Sequence, residues 1–264
     1  MFRKWAELSS PALAALDKDR LIAVLPVAAV EQHGPHLPLG TDLHIAEGYL
    51  ERIAPLVPED ISVLVLPVQA IGKSDEHQNF AGTLTLTPQT AITAWVEVGE
   101  CLARAGVRRL ILMNTHGGNV PVIDLVARTL RARHGMLVVC CSMHRFGYPA
   151  GLFEEHERAH GIHGGDVETS LMLAFRPELV EMSRAENFAP YSVGMESEFM
   201  RLRANHPVGF AWMSEDLQES GAMGDARGAS VEKGEAAAQY GAQALIELLR
   251  DVLRFDISGF GAGK

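Results

Sequence analysis

Four short runs of the chain, 21–27, 61–66, 107–113 and 136–141, are apolar at nearly every position and rich in Val, Ile and Leu. A strand with one wet face alternates apolar and polar side chains, because successive side chains point to opposite faces. Unbroken apolarity over this length instead predicts central strands covered on both faces, as in a parallel sheet. Between these runs, apolar positions recur at helical spacing over 43–54, 88–105 and 120–134, and a last such pattern over 231–253 repeats Ala236, Tyr240, Ala244 and Leu248. The helix over 88–105 opens on Thr87-Pro88, an N-cap followed by proline in the first turn, and stops near Gly106; Asn119-Val120-Pro121 opens the next in the same way. Strand and helix alternate, so the pattern predicts one domain over 1–264 with a three-layer α/β/α fold, a mainly parallel central sheet and right-handed crossovers. It lapses over 142–165, a loop long enough to be functional or mobile, and over 176–228, rich in Pro, Gly and Met.

Composition adds limits. The chain has 264 residues, 47% hydrophobic and 21% charged, enough to bury one substantial core. Its formal net charge of -10 argues against nucleic acid or an anionic membrane as partner and leaves a small uncharged or cationic substrate open. The N-terminus carries a basic pair, Arg3-Lys4, without an apolar segment behind it. No stretch reaches the roughly 18 to 20 apolar residues of a membrane span, so a soluble, cytoplasmic chain is expected. Cys101, Cys140 and Cys141 lack C-x-x-C spacing and read as reduced thiols, the last two as small residues of a buried strand.

Metal-ligand side chains gather in three places, each after an apolar run. In Glu31-Gln32-His33 the carboxylate and the imidazole are two positions apart, so on an extended chain both face one way. Asp42 follows a Pro/Gly loop able to fold back beside them. His116 lies between the 107–113 strand and the next helix, where parallel sheets form their ligand crevice, and Gly117 and Gly118 let backbone approach a ligand closely. His163-Gly164-Gly165-Asp166-Val167-Glu168 leads into an apolar helical run, with Asp166 reading as an N-cap and Glu168 as a first-turn carboxylate that can reach a metal. Three imidazoles and several carboxylates are a ligand set for two hydrolytic divalent ions. Ser74 and His77, in the polar loop 73–83, are placed to hydrogen-bond a substrate amide or carboxylate. His144, His156 and His160 read as surface or loop residues. A rival reading makes Gly117-Gly118-Asn119 a phosphate cradle of a non-catalytic nucleotide-binding α/β protein, but it lacks both the G-x-G-x-x-G spacing and the P-loop lysine.

With these residues in view, the chain resembles the creatininase (creatinine amidohydrolase) family. The likeness is carried by Leu25-Pro26-Val27-Ala28-Ala29-Val30-Glu31-Gln32-His33-Gly34, Thr41-Asp42, Phe80-Ala81-Gly82-Thr83, the runs 114–119 and 163–173, Gly224-Asp225-Ala226-Arg227 and Lys233-Gly234. The resemblance implies a creatininase-like fold and a metal-dependent amidohydrolase with two divalent ions per chain, zinc first, manganese or iron as alternatives. It implies that Glu31, Asp42 and His116 hold one ion, that His33, Asp42 and a further carboxylate hold the other with Asp42 bridging, and that His163 shuttles the proton to the leaving nitrogen. The family's namesake has a glutamate ligand two residues past the His116 equivalent, where this chain has Gly118. Glu168 is the candidate replacement, with Asp166 in reserve. The tryptophan, aspartate and glutamate that creatininase places before its catalytic histidine correspond to Ala159, His160 and Ile162. The implied reaction is hydrolysis of a non-peptide C–N bond in a small amide, cyclic amide or formamide other than creatinine; short-peptide trimming, also known in the family, is the alternative. The resemblance further implies a homo-oligomer, often a hexamer.

Overall fold

The computed structural model describes residues 1–260. Along the chain run β1 (Phe2–Lys4), α1 (Ser10–Ala14), β2 (Leu21–Val27), α2 (Thr41–Ile53), β3 (Ser62–Val65), α3 (Pro88–Arg104), β4 (Arg109–Asn114), α4 (Val120–His134) and β5 (Leu137–Ser142). There follow α5 (Glu155–His160), α6 (Asp166–Phe175), β6 (Asn187–Phe188), α7 (Ser192–Glu198), α8 (Ser214–Leu217), β7 (Gly224–Asp225) and α9 (Val231–Arg254). The first five strands form one parallel sheet in the order β1-β3-β2-β4-β5.

Strand periodicity sorts the apolar side chains into two cores. Ile22 and Val24 of β2, with Ile111 and Met113 of β4, pack toward α2, α6 and α9, while Leu21, Ala23 and Leu25, with Leu110 and Leu112, pack toward α3 and α4. Thus α2 leaves β2 toward one face and α4 leaves β4 toward the other. Between the carboxyl ends of these neighbouring strands the crossovers diverge, and in open parallel sheets that divergence leaves a crevice. Glu31 follows β2 and His116 follows β4 into it.

Several expectations change. β5 is an edge strand: Leu137, Val138 and Val139 are half-buried, Cys140 is exposed, and of the paired cysteines only Cys141 is buried. Unbroken apolarity therefore did not guarantee a central place, because among the described residues no strand beyond β5 completes its cover. β1 was not legible, since three residues, two of them basic, carry no periodicity; backbone pairing with β3 makes it a strand. Asp166 is the first residue of α6 rather than its N-cap, which is Gly165, and its carboxylate accepts from Ser170 Oγ at 2.9 Å and pairs with Lys233. The two irregular stretches hold α5, α7, α8 and the antiparallel β6–β7 pair, elements too short to show a repeating pattern.

Candidate functional site

The turn after β2 brings three carboxylates and the motif histidines together. Gly34 adopts φ +74°, and a Cβ there would lie 2.7 Å from that of Ala222, so the chain reverses tightly only with glycine. The Glu31 N–H donates to the Leu39 carbonyl (2.8 Å), closing the loop that returns Asp42 in the first turn of α2. Asn119 ties the surrounding loops: its Nδ2 donates to the Ala28 carbonyl (3.0 Å) and to Asn114 Oδ1 (3.2 Å), and its Oδ1 accepts the Lys73 N–H (3.0 Å). The sequence placed this residue as the cap of α4, but its side chain makes no cap bond there and ties the loops instead.

Asp42 lies between two imidazoles, with Oδ1 3.8 Å from His33 Nε2 and Oδ2 3.2 Å from His116 Nδ1. Glu31 Oε1 is 3.3 Å from His116 Nδ1, 3.4 Å from His77 Nε2 and 3.6 Å from His163 Nδ1. Glu168 Oε2 is 3.8 Å from His33 Nε2. Three overlapping triads result, each with ligand atoms within 4.8 Å of one another: Glu31, Asp42 and His116; His33, Asp42 and Glu168; Glu31, His33 and His163.

Hydrogen bonding identifies the free face of each ring. A carbonyl oxygen can only accept, so His33 Nδ1, 3.1 Å from the Glu31 carbonyl, is the donor and its Nε2 keeps a lone pair toward Asp42 and Glu168. His116 Nε2 donates to the Lys73 carbonyl at 2.8 Å, so the neutral ring turns the lone pair of Nδ1 to Glu31 and Asp42. His163 Nε2 donates to the Gln32 carbonyl at 2.5 Å, leaving Nδ1 toward Glu31. His77 differs. The Gln32 side chain accepts the Gly34 N–H at Oε1 (2.9 Å), so its Nε2 amide must donate to Gly221 O (2.9 Å) and to His77 Nδ1 (2.7 Å). His77 then carries its hydrogen on Nε2, facing Glu31, and acts there as a donor.

The electrostatics fit a bound cation. Glu31, His33 and Asp42 are almost wholly buried, yet Glu31 Oε1 and Oε2, His33 Nε2 and Asp42 Oδ2 have no hydrogen-bond partner among the described residues. Buried lone pairs left bare are costly, and here they converge on shared space. Burial opposes ionisation of Glu31, but the facing His116, His163 and His77 hold its carboxyl well below the usual carboxylate range. Burial pushes Asp42 up to about 7 despite the neighbouring His116. It drives His33 well below the imidazole norm and His77 down to about 3. His116 goes the other way: burial lowers it, but Glu31 and Asp42 raise it well above normal. The His116 proton is the counter-charge to Glu31 and Asp42 here, and once an ion displaces it these carboxylates and the imidazole lone pairs are a donor set that fits divalent metal.

A cleft of about 1260 Å³ opens over this cluster, lined by Glu31, Asp42, His116, His163 and Glu168 below and by Tyr148, Arg158 and Trp212 above. His77 and Gly117 also line it, and nothing lies within 4 Å of where a Gly117 Cβ would stand. Ser74 is buried with its Oγ 3.4 Å from His116 Nε2, on the side of that ring away from Glu31 and Asp42. The phosphate-cradle geometry meets an obstacle at Gly118, where a Cβ would come 2.2 Å from the Lys73 carbonyl and 2.5 Å from Glu76 Oε1; carbonyl and carboxylate oxygens crowd the turn.

Two residues of the upper wall depart from expectation. His160 is buried rather than a surface histidine, with Nδ1 3.0 Å from Ser192 Oγ and Nε2 3.5 Å from Glu196, whereas His144 and His156 are exposed. Sequence reasoning missed Glu157. Its buried carboxylate accepts the N–H groups of Asp166 (2.8 Å) and Asp225 (2.9 Å), and burial pushes its pKa up against those bonds. A Cβ on Gly161 or Gly165 would come 2.1 Å from Glu157 Oε1, so the glycines around His163 were the available signal.

Known proteins resemble this chain in sequence and fold. Residues 6–249 match the family model for creatininase, creatinine amidohydrolase. The mycofactocin precursor peptide peptidase of Mycobacterium tuberculosis (strain ATCC 25618 / H37Rv) is 35% identical over 199 residues, covering 72% of this chain and 74% of the relative. The creatinine amidohydrolase of Pseudomonas putida is 32% identical over 250 residues, 87% of this chain and 89% of the relative. A solved mutant creatininase of Zn-Zn type superposes with TM-score 0.75 at 27% identity, covering 96% of this chain and 98% of that one.

Proposed function

The chain belongs to the creatininase family of amidohydrolases, and from that premise we propose that it hydrolyses a C–N bond in a small amide, cyclic amide or formamide other than creatinine. We assign Glu31, His33, Asp42, His116 and Glu168 as the ligands of two divalent ions, zinc first and manganese or iron as alternatives, with Asp42 shared. The convergence of unpaired lone pairs from Glu31, His33 and Asp42 carries this reading.

When bound, such ions supply a water acidic enough to ionise near neutral pH and polarise the carbonyl under attack. The chain's residues do the rest. Asp42, presenting one oxygen to each imidazole, fixes the spacing of the two ligand sets. The Glu31 and Lys73 carbonyls hold His33 and His116 in the tautomers that face the cluster, the orienting role outer partners play around metals. His163 has its Nε2–H tied to Gln32, so Nδ1 is the atom that takes a proton and returns it to the leaving nitrogen. His77, with its hydrogen on Nε2, donates toward Glu31 or a substrate carbonyl, and Gly117 leaves the space open for that substrate.

Creatinine is disfavoured as substrate. At the positions of the family namesake's aromatic and acidic residues, Ala159 offers no aromatic cover and His160 is engaged with Ser192 and Glu196. A peptide substrate is the second reading, favoured by the 35% identity to a precursor peptide peptidase and by a cleft larger than a single small ring requires. Assembly into a homo-oligomer is a family expectation, checked by native mass. Acetamide, formamide, cyclic-amide, creatinine and short-peptide hydrolysis by metal-loaded protein separates the readings: turnover of non-peptide amides supports the first, turnover confined to peptides the second, and none on any substrate contradicts both.

A further inference from the structure

Cationic side chains stand on the cleft wall of this acidic chain. Of the acidic groups on the cleft wall, Asp75 and Glu76 face Lys73 at 3.3 and 3.6 Å, Glu196 faces His160 at 3.5 Å, and Glu157 accepts two backbone N–H groups. Arg203, also on the cleft wall, donates to the Phe199 and Leu202 carbonyls at 2.9 and 2.7 Å, but the other two arginines are not matched in this way. Arg158, on α5, and Arg145, just past β5, line the same cleft, are exposed, and have side chains with no hydrogen bond or ion pair among the described residues. Tyr148 lines the cleft with them. That phenol, packed edge-on against Phe153, lies in the field of both Glu168 and Arg158; burial and Glu168 raise its pKa, and Arg158 opposes them. The open guanidinium and the proposed metal ligand Glu168 thus line one cleft.

We propose that the cleft takes a substrate bearing an oxyanion, carboxylate or phosphate, away from the bond that is cut, and that Arg158 pairs with it while Arg145 adds to the local positive field. A guanidinium fork matches the two oxygens of either group, and its pairing strengthens where an occupied cleft excludes water. The inference rests on the hydrolase reading and narrows its substrate class: the chain-wide charge of -10 leaves uncharged and cationic molecules open, whereas the rim selects an anion.

The test uses metal-loaded protein and three probes sharing one acetamide bond: N-acetyl-β-alanine, its carboxamide, and N-acetylphosphoethanolamine. Acetate release gives kcat/KM where a probe turns over, and calorimetry gives affinity where it does not. An oxyanion over carboxamide ratio of about tenfold is expected, falling toward one in Arg158→Gln and in high salt, and only partly restored in Arg158→Lys, whose ammonium keeps the charge without the fork. The larger ratio of the two oxyanions identifies the group. A wild-type ratio near one overturns the proposal, and so does a ratio that persists in Arg158→Gln. Failure of the hydrolase reading looks different: no probe turns over, while affinities still separate oxyanion from carboxamide.

Discussion

The floor and the upper wall of the cleft are built on opposite terms. Glu31 and His116 follow directly from the ends of neighbouring parallel strands, and with His33 and Asp42 they are buried and locked by carbonyls and by Asn119. The wall comes from short helices and turns after β5, where Arg145, Arg158 and Ala159 are exposed and one buried carboxylate, Glu157, gathers several backbone segments. Sheet-anchored residues suit fixed chemistry, because ligand geometry tolerates little error. A loop-built wall can change its substrate contacts without disturbing that geometry.

The comparison is broken most forcefully at the floor. Asp42→Ala should abolish turnover and remove both ions, since both proposed ligand sets use its carboxylate; retained full metal content, read by elemental analysis, would defeat the shared-ligand assignment. His163→Ala should keep its metal and lose roughly 10²–10⁴ in kcat. Unchanged kcat would remove the acid–base role, and lost metal would make His163 a ligand, as its triad with Glu31 and His33 allows.

Glu157→Ala sharpens the contrast from the wall side. It strands the Asp166 and Asp225 N–H groups, costing about 1–3 kcal/mol for each left unpaired, and loosens the segment that carries His163. Urea titration should show the loss, with Glu157→Gln losing less because one acceptor oxygen remains. Unaltered stability would mean water replaces the carboxylate at no cost.

The smallest effect is a pH dependence. Asp42 is pushed up to about 7 in the metal-free protein, so at lower pH an incoming ion must displace its proton, as it must that of His116, which is also raised. Metal affinity should fall as pH drops through 7, by up to roughly tenfold per pH unit for each proton released. Calorimetry in buffers of different ionisation enthalpy measures the release directly; affinity independent of pH between 6 and 8 would contradict it.

What was legible in the sequence follows the same division. The helix predicted over 120–134 matches α4, and the other long elements lie within about two residues of their patterns, because buried faces impose periodicity. The Glu31, His33, Asp42, His116 and Glu168 atoms meet as the motif spacing suggested, since each sits one turn from a strand end or at a helix start. The wall resisted reading. Glu157 acts on backbone N–H groups 9 and 68 residues away, His160 is buried by a helix contributed from beyond residue 190, and Cys140 is exposed because its strand lies at the sheet edge. None of these depends on local pattern, only on which distant segment arrives.

The most direct test of the buried cluster as a binuclear centre is metal content per chain by elemental analysis, on protein purified without chelator and again after loading with zinc, manganese or iron. About two ions per chain in the wild type, lost in Asp42→Ala, is the predicted result; a folded wild-type protein that takes up none of the three metals would contradict the account.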